Sequence, residues 1–134
     1  MIGVLVVSHG SIGEALLASA TQILGNPPQQ VATLSVWRQD DPDDLVLRAR
    51  ELLEGLDSGD GVLVLTDIFG ATPGNVVSRL LQDGRIEGVS GASLPMLLRV
   101  LTGRNGSLQD AIQRALSGGA EGVVHMNSDR CLDA

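Results

Sequence analysis

Met1-Ile2-Gly3-Val4-Leu5-Val6-Val7-Ser8-His9-Gly10 opens the chain, and the reading of this stretch decides the fold. Apart from Gly3 its first seven positions are an unbroken apolar run, the pattern of a strand buried on both faces of a parallel sheet. In such sheets ligands and chemistry gather just beyond the carboxyl ends of the strands. Ser8-His9-Gly10 stands at that point, and a helix-like segment begins directly behind it. A second run, Val62-Leu63-Val64-Leu65, closes in Thr66-Asp67 and is followed by Ile68-Phe69-Gly70-Ala71-Thr72-Pro73-Gly74-Asn75. His9 and Asp67 are therefore expected on one rim of one sheet, with an imidazole in reach of a carboxylate beside two helix starts.

Between and beyond these runs, strands and helices alternate. Ser11 to Leu24 places Ile12, Ala15, Leu16, Ala18, Ile23 and Leu24 at helical spacing and meets a stop at Gly25. After Asn26-Pro27-Pro28, Val31 to Val36 reads as a short strand. Asp41-Pro42 is an N-cap with proline at the first helical position, and opens a helix to about Gly55. The turn cluster Asp57 to Gly61 leads into the strand that ends at Asp67. Thr72-Pro73 repeats the cap-then-proline pattern, with a helix expected to Gln82. Gly88 to Gly91 reads as an abbreviated strand, and Leu94-Pro95-Met96 opens an apolar helix toward Thr102. Ser107 caps another helix, expected to stop at Gly118-Gly119, and Gly122 to Met126 is the last candidate strand. Residues 126–134 read as a loose tail. The pattern predicts one doubly wound α/β domain over residues 1–134, a mostly parallel sheet flanked by helices.

Composition narrows the function. The chain has 134 residues, long enough for one domain with a real core, and its 43% apolar content is almost all aliphatic. Trp37 and Phe69 are the only aromatics, too few for stacking on bases. A net charge of −7 argues against DNA, RNA or an anionic membrane as partner. The nine basic residues are all arginine, which excludes a P-loop lysine and a Schiff-base lysine. Cys131, alone, forms no internal disulfide and builds no zinc site, so a reduced, cytoplasmic protein is expected, with Cys131 incidental. The N-terminal apolar stretch is too short to span a membrane and has no basic region before it.

A neutral histidine at a strand end can serve as nucleophile, general base or metal ligand. Ser11 is expected to cap the first helix and Thr72 the helix at Pro73. Free N–H groups and positive dipole ends at those two starts favour an anion between them. Ser8, Ser11 and Thr72 add hydroxyl donors. An anion site around a histidine suggests phosphoryl chemistry, with Asp67 accepting one ring N–H and leaving the other nitrogen free to attack. A histidine at a sheet rim can equally do no more than satisfy local hydrogen bonds, and spacing alone does not separate the two.

Three blocks decide between them: the strand ending Ser8-His9-Gly10, the segment Thr66 to Asn75, and Val89-Ser90-Gly91-Ala92-Ser93-Leu94-Pro95-Met96-Leu97. In order and approximate spacing the chain resembles the IIA domain of the mannose family of the bacterial sugar phosphotransferase system, over nearly its whole length. The resemblance implies that His9 accepts a phosphoryl group from phospho-HPr and passes it to a IIB partner or uses it as a regulatory signal. It implies that Asp67 orients His9, and that Ser8, Gly10, Ser11, Gly70, Ala71 and Thr72 bind the phosphoryl oxygens, with no metal and no cofactor. It further implies a phosphotransferase that is cytoplasmic and homodimeric, meeting the membrane only through a permease. The C-terminal strand, here Gly122 to Met126, would cross to the partner's sheet, an exchange that reuses the same contacts between chains. His125 within it reads as structural or surface-exposed. The chain departs from the family in two places. Gly70-Ala71-Thr72-Pro73-Gly74 stands where the family has Gly-Gly-Ser-Pro and an aromatic, and Phe69 stands where tryptophan is frequent. The hydroxyl survives at Thr72; the ring at Gly74 is lost, which bears on a partner or packing surface. The chain is expected to carry no linker and no IIB domain, so that sugar transport would need separate subunits or would not occur.

Other readings share parts of this pattern. The phosphotransferase subunit of dihydroxyacetone kinase is similar in fold and phosphohistidine, but the Gly70 to Asn75 and Leu94-Pro95-Met96 blocks disfavour it. Small tetrapyrrole metal chelatases are similar at His9-Gly10-Ser11, yet would need a second histidine or acidic partner, and the only other histidine is His125. Histidine phosphatases place arginine where Ser8 stands. A binding module switched by phosphorylation of His9 is a further reading. Arg38, Arg79, Arg85 and Arg99 read as solvated surface, and Asp40 to Asp44 as a capped helix start. An acidic protein is compatible with the often basic contact face of HPr.

Overall fold

The computed structural model of the chain describes residues 1–128. β1 (Gly3–His9), β2 (Val31–Val36), β3 (Val62–Thr66) and β4 (Ile86–Ser90) form one sheet in the order β2-β1-β3-β4, every pair parallel. α1 (Ile12–Leu24), α2 (Pro42–Leu56), α3 (Thr72–Ser78), α4 (Leu94–Leu101) and α5 (Leu108–Glu121) cover its two faces. The doubly wound α/β class expected from the sequence is the one observed.

The pleat divides the central strands between two cores. Leu5, Val7, Val62 and Val64 turn to one face and join Leu45, Ala49 and Leu53 of α2 and Val76 and Val77 of α3. Val4, Val6, Leu63 and Leu65 turn to the other and join Ala20 of α1, Met96, Leu97 and Val100 of α4, and Ala111 and Ala115 of α5. None of those eight strand residues is more than 1% exposed, which is why both strands read as continuous aliphatic runs. Gly3 belongs to the same close packing: a Cβ there would stand 2.5 Å from the Leu56 carbonyl oxygen.

From β1 the chain winds to β2 on one side, then returns past β1 to β3 and β4 on the other. The winding reverses between β1 and β3, and at such a switch point the strand ends part to leave a crevice. Val7 pairs with Thr66 and His9 with Val36, so His9 leaves the sheet between the ends of β2 and β3.

Some element boundaries differ from the sequence reading. α3 ends at Ser78, short of Gln82, because the N–H groups of Arg79 and Leu80 bond three residues back to Val76 and Val77. β4 begins at Ile86, ahead of Gly88, and Gln82 pairs with Ile86 across the turn. α5 runs through Gly118-Gly119 to Glu121. Those glycines allow contact with α4: a Cβ on Gly118 would lie 3.0 Å from Arg99 Cβ and 3.2 Å from Met96 Cα. They are there for close helix approach, a use that looks the same in sequence as a stop signal. Gly122 to Met126, expected as a strand, is not one: residues 122–125 are turn and irregular backbone, and a short 3₁₀ turn covers 126–128. A strand needs a ladder to join, and within one chain this segment meets none; Val123 and Met126 are 86% and 79% exposed. Cys131 and the rest of the expected loose tail beyond residue 128 lie outside the described residues.

Candidate active site

His9 is the last residue of β1, and Asp67 follows the last residue of β3. One carboxylate oxygen of Asp67 takes two contacts from His9: the backbone N–H donates to Oδ2 at 3.0 Å, and Nδ1 lies 2.8 Å from the same atom. Oδ1 accepts the Ile68 N–H at 3.1 Å. The Asp67 side chain is only 11% exposed while that of His9 is 49% exposed, so a sheltered carboxylate holds an imidazole that stands open to solvent. Burial by itself raises the Asp67 carboxyl; the backbone bond, the ring bond and the charge of His9 outweigh it and hold the group below its ordinary 3.8. A carboxylate on Nδ1 selects the tautomer with hydrogen on that nitrogen and leaves Nε2 with its lone pair facing out.

Gly10 turns the chain out of the strand with φ of +49°, a left-handed conformation that favours glycine, and its N–H donates to the Val36 carbonyl at 2.9 Å. Ser8 is 1% exposed and its Oγ accepts the Gly13 N–H at 2.8 Å. It therefore faces inward and caps the start of α1 across the turn, a task expected of Ser11. Ser11 occupies the N-cap position, exposed, with no cap bond from its side chain. At the second helix start Ala71 is the N-cap, and Thr72 is the first helical residue, exposed and in advance of Pro73. The first N–H groups of a helix have no partner within it, so Ala71, Thr72 and Gly74 begin α3 with donors to spare, Pro73 having none. Gly70 supplies the turn before it with φ of +91°. Gly74 is buried, and a Cβ there would sit 3.1 Å from the Ile68 carbonyl oxygen, so the position holds the loop against α3 instead of presenting a ring.

The geometry thus joins His9 to Asp67 directly, and puts Gly10, Ser11 and the Gly70 to Thr72 loop on the same rim. Ser8 supports from beneath. The sequence reading missed Trp37, which follows β2 and lays its ring over Gly10: the position of a Gly10 Cβ is 3.2 Å from one ring carbon and 3.4 Å from the next. The register of β2 against β1 was the signal that would have found it. His125 is exposed and its Nδ1 pairs with Ser128 Oγ at 2.8 Å. Of the arginines expected to be solvated surface, Arg79 and Arg85 pair with Asp43 and Asp57, and Arg99 pairs with Glu121.

The chain is thus a doubly wound parallel domain with a histidine–aspartate pair at its switch point and the histidine open to solvent. The chain belongs to the family described as PTS system fructose IIA component, EIIA-man, whose model matches residues 3–116. The mannose-specific EIIAB component of the PTS system of Escherichia coli K12 is 30% identical over 91% of this chain, but the chain spans only 38% of that protein's length. The fructose-specific EIIA component of the PTS system of Bacillus subtilis is 31% identical over 76% of this chain and 70% of its own length. The crystal structure of phosphotransferase system component EIIA from Streptococcus agalactiae superposes with a TM-score of 0.85 at 26% identity, covering 96% of this chain and 99% of that one. Membership of this family leaves the dihydroxyacetone kinase and chelatase readings without support. Among the described residues no helix is long and apolar enough to cross a membrane.

Proposed function

We propose that His9 carries a phosphoryl group in transit, accepting it from phospho-HPr and passing it to a IIB partner or holding it as a regulatory signal. The observation that carries this reading is the Asp67 carboxylate on Nδ1, which leaves Nε2 as the attacking atom. The Nε2 lone pair forms the new P–N bond as the bond from phosphorus to the donor's nitrogen breaks, and the departing nitrogen keeps the electron pair. The Nδ1 proton stays on the Asp67 side, and positive charge arising on the ring is stabilised by that carboxylate. Passage to the acceptor is the same step in reverse. Ser11, Thr72 and the backbone N–H groups of Gly70 and Ala71 are suited to the phosphoryl oxygens, whereas the Gly10 N–H expected among them is held by the Val36 carbonyl; no metal or cofactor is assigned a part. A half-exposed histidine suits transfer between proteins better than turnover of a small substrate, which wants a pocket around it.

The same reading includes a cytoplasmic homodimer in which Gly122 to Met126 of one chain joins the sheet of the other. Its support is the open edge of β4 beside an apolar cleft of about 350 Å³, walled by Phe69, Val77, Leu81, Val89, Ile112 and Leu116. The test of function is incubation with phosphoenolpyruvate, enzyme I and HPr, scored as acid-labile, base-stable phosphate. Labelling of the wild type that requires HPr, and its loss in His9→Ala, is the expected result. Full labelling of His9→Ala would sink the assignment.

A further inference from the structure

Trp37 and Phe69 are the only aromatic side chains in the chain, and the cores use neither: they are 52% and 83% exposed. Both cores are filled by aliphatic side chains and Met96. Single exposed apolar residues are ordinary on protein surfaces, but these lie in one region. Trp37 follows the end of β2 and Phe69 lies just past the end of β3, while His9 leaves the sheet between those two strands. Ile12, at the start of α1, and Ile68 are 46% and 53% exposed on the same rim. One edge of the indole lies over Gly10, and about half of the side chain stays exposed.

The flank beyond Trp37 is acidic. Asp40 accepts the Trp37 backbone N–H at 2.8 Å, Asp41 caps α2, and Asp43 and Asp44 follow in its first turn. Arg38 and Arg48 are the cations within this stretch, Arg48 lies 4.0 Å from Asp40, and Arg79 pairs with Asp43 from outside it. Among the described residues Asp41 and Asp44 therefore carry the flank's unpaired negative charge.

We propose that Trp37 is a docking contact for the protein that donates the phosphoryl group, a partner whose phosphorylated side chain projects from a basic, partly apolar face. The proposal rests on the phosphocarrier reading above. Transfer requires the donor's nitrogen to come into line with phosphorus and His9 Nε2, so the partner covers the side chains that ring His9. Tryptophan is prominent among the residues that carry binding energy at interfaces, and an acidic flank steers a basic partner. Trp37 takes no part in bond making; it holds the partner.

The test measures transfer from phosphorylated HPr against its concentration, beside labelling by phosphoramidate, a small donor that makes no protein contacts. In Trp37→Ala the half-saturating HPr concentration should rise about tenfold, with the saturating rate and the phosphoramidate rate changed less than about twofold. Trp37→Phe should recover part of the loss. Ile23→Ala, equally apolar and 59% exposed near the far end of α1, should match the wild type. Because Trp37 is the only tryptophan, its emission should move to shorter wavelength when a tryptophan-free HPr is titrated in. An unchanged half-saturating concentration with unmoved emission overturns the proposal. So does an equal loss with both donors, which would make Trp37 a support for Gly10. Emission that follows this chain's own concentration and ignores HPr overturns it too, assigning the face to a second copy. Failure of the wild type to be labelled by HPr overturns the phosphocarrier reading with it; labelled wild type and an indifferent Trp37→Ala overturn docking alone.

Discussion

At the scale of the residue, the site is one carboxylate bonded twice to one histidine. Asp67 Oδ2 holds both the backbone and the ring of His9, so the side chain sets the ring's orientation as well as its tautomer. In Asp67→Asn the amide oxygen can keep both bonds to His9, but the amide NH2 then meets the Ile68 N–H and the charge is gone. Labelling of His9 should slow by on the order of 10²-fold, the lower range for a positioned acid–base partner, with the fold intact by circular dichroism. The pH dependence has a definite sign. The Asp67 carboxyl sits below its ordinary 3.8 in the folded chain, so its contribution to stability is present above that value and is lost as pH falls through the lower folded one. The stability gap between wild type and Asp67→Asn, measured by urea midpoints, should therefore be open at pH 6 and should narrow as pH drops below about 4. A gap unchanged at low pH would mean that the contact does not depend on the carboxylate charge.

At the scale of the element, the caps and the glycines are where local signal and tertiary use part company. Asp41 and Ser107 cap α2 and α5 as their sequence context requires, Ser107 within a capping box closed by Asp110. α1 instead takes its cap from Ser8, inside the preceding strand. Ser8→Ala should cost about 1 kcal/mol of stability by removing the acceptor for the Gly13 N–H. Equilibrium unfolding checks that figure. Gly118 makes the opposite point. Valine there would gain a few tenths of a kcal/mol in helix propensity but drive its side chain into Met96 and Pro95 of α4. Overpacking against backbone wins, and Gly118→Val should lose about 1–3 kcal/mol, read as a lowered urea midpoint with unchanged slope.

At the scale of the molecule, the sheet carries the site and the helices keep the sheet dry. Leu63 is fully buried within β3, and Leu63→Ala should destabilise by about 2–5 kcal/mol while leaving the His9–Asp67 geometry to the surviving strands. Labelling at a temperature where the variant is still folded should then match the wild type. At the opposite end from the site, Arg104 is 6% exposed and donates to the carbonyls of Ile2, Gln29 and Gln30, so the loop between α4 and α5 is tied to the starts of β1 and β2. Burial lowers its guanidinium pKa, and no carboxylate among the described residues pairs with it. Nothing in the local sequence of Gly103-Arg104-Asn105 sets this residue apart from the solvated arginines.

The sequence by itself determined the layers. Runs such as Val4 to Val7 and Val62 to Leu65 are apolar on both faces, and only a sheet covered on two sides buries them. It also placed His9 and Asp67 at strand ends, because each lies where an aliphatic run stops. The tertiary structure decided which oxygen meets which nitrogen, that Ser8 caps α1, that Gly118 and Gly119 continue a helix, and that Trp37 overlies the turn at Gly10. The physical reason is range. Burial period and capping are written within a few neighbouring residues, whereas register, close approach and the angle of a ring arise between segments tens of residues apart.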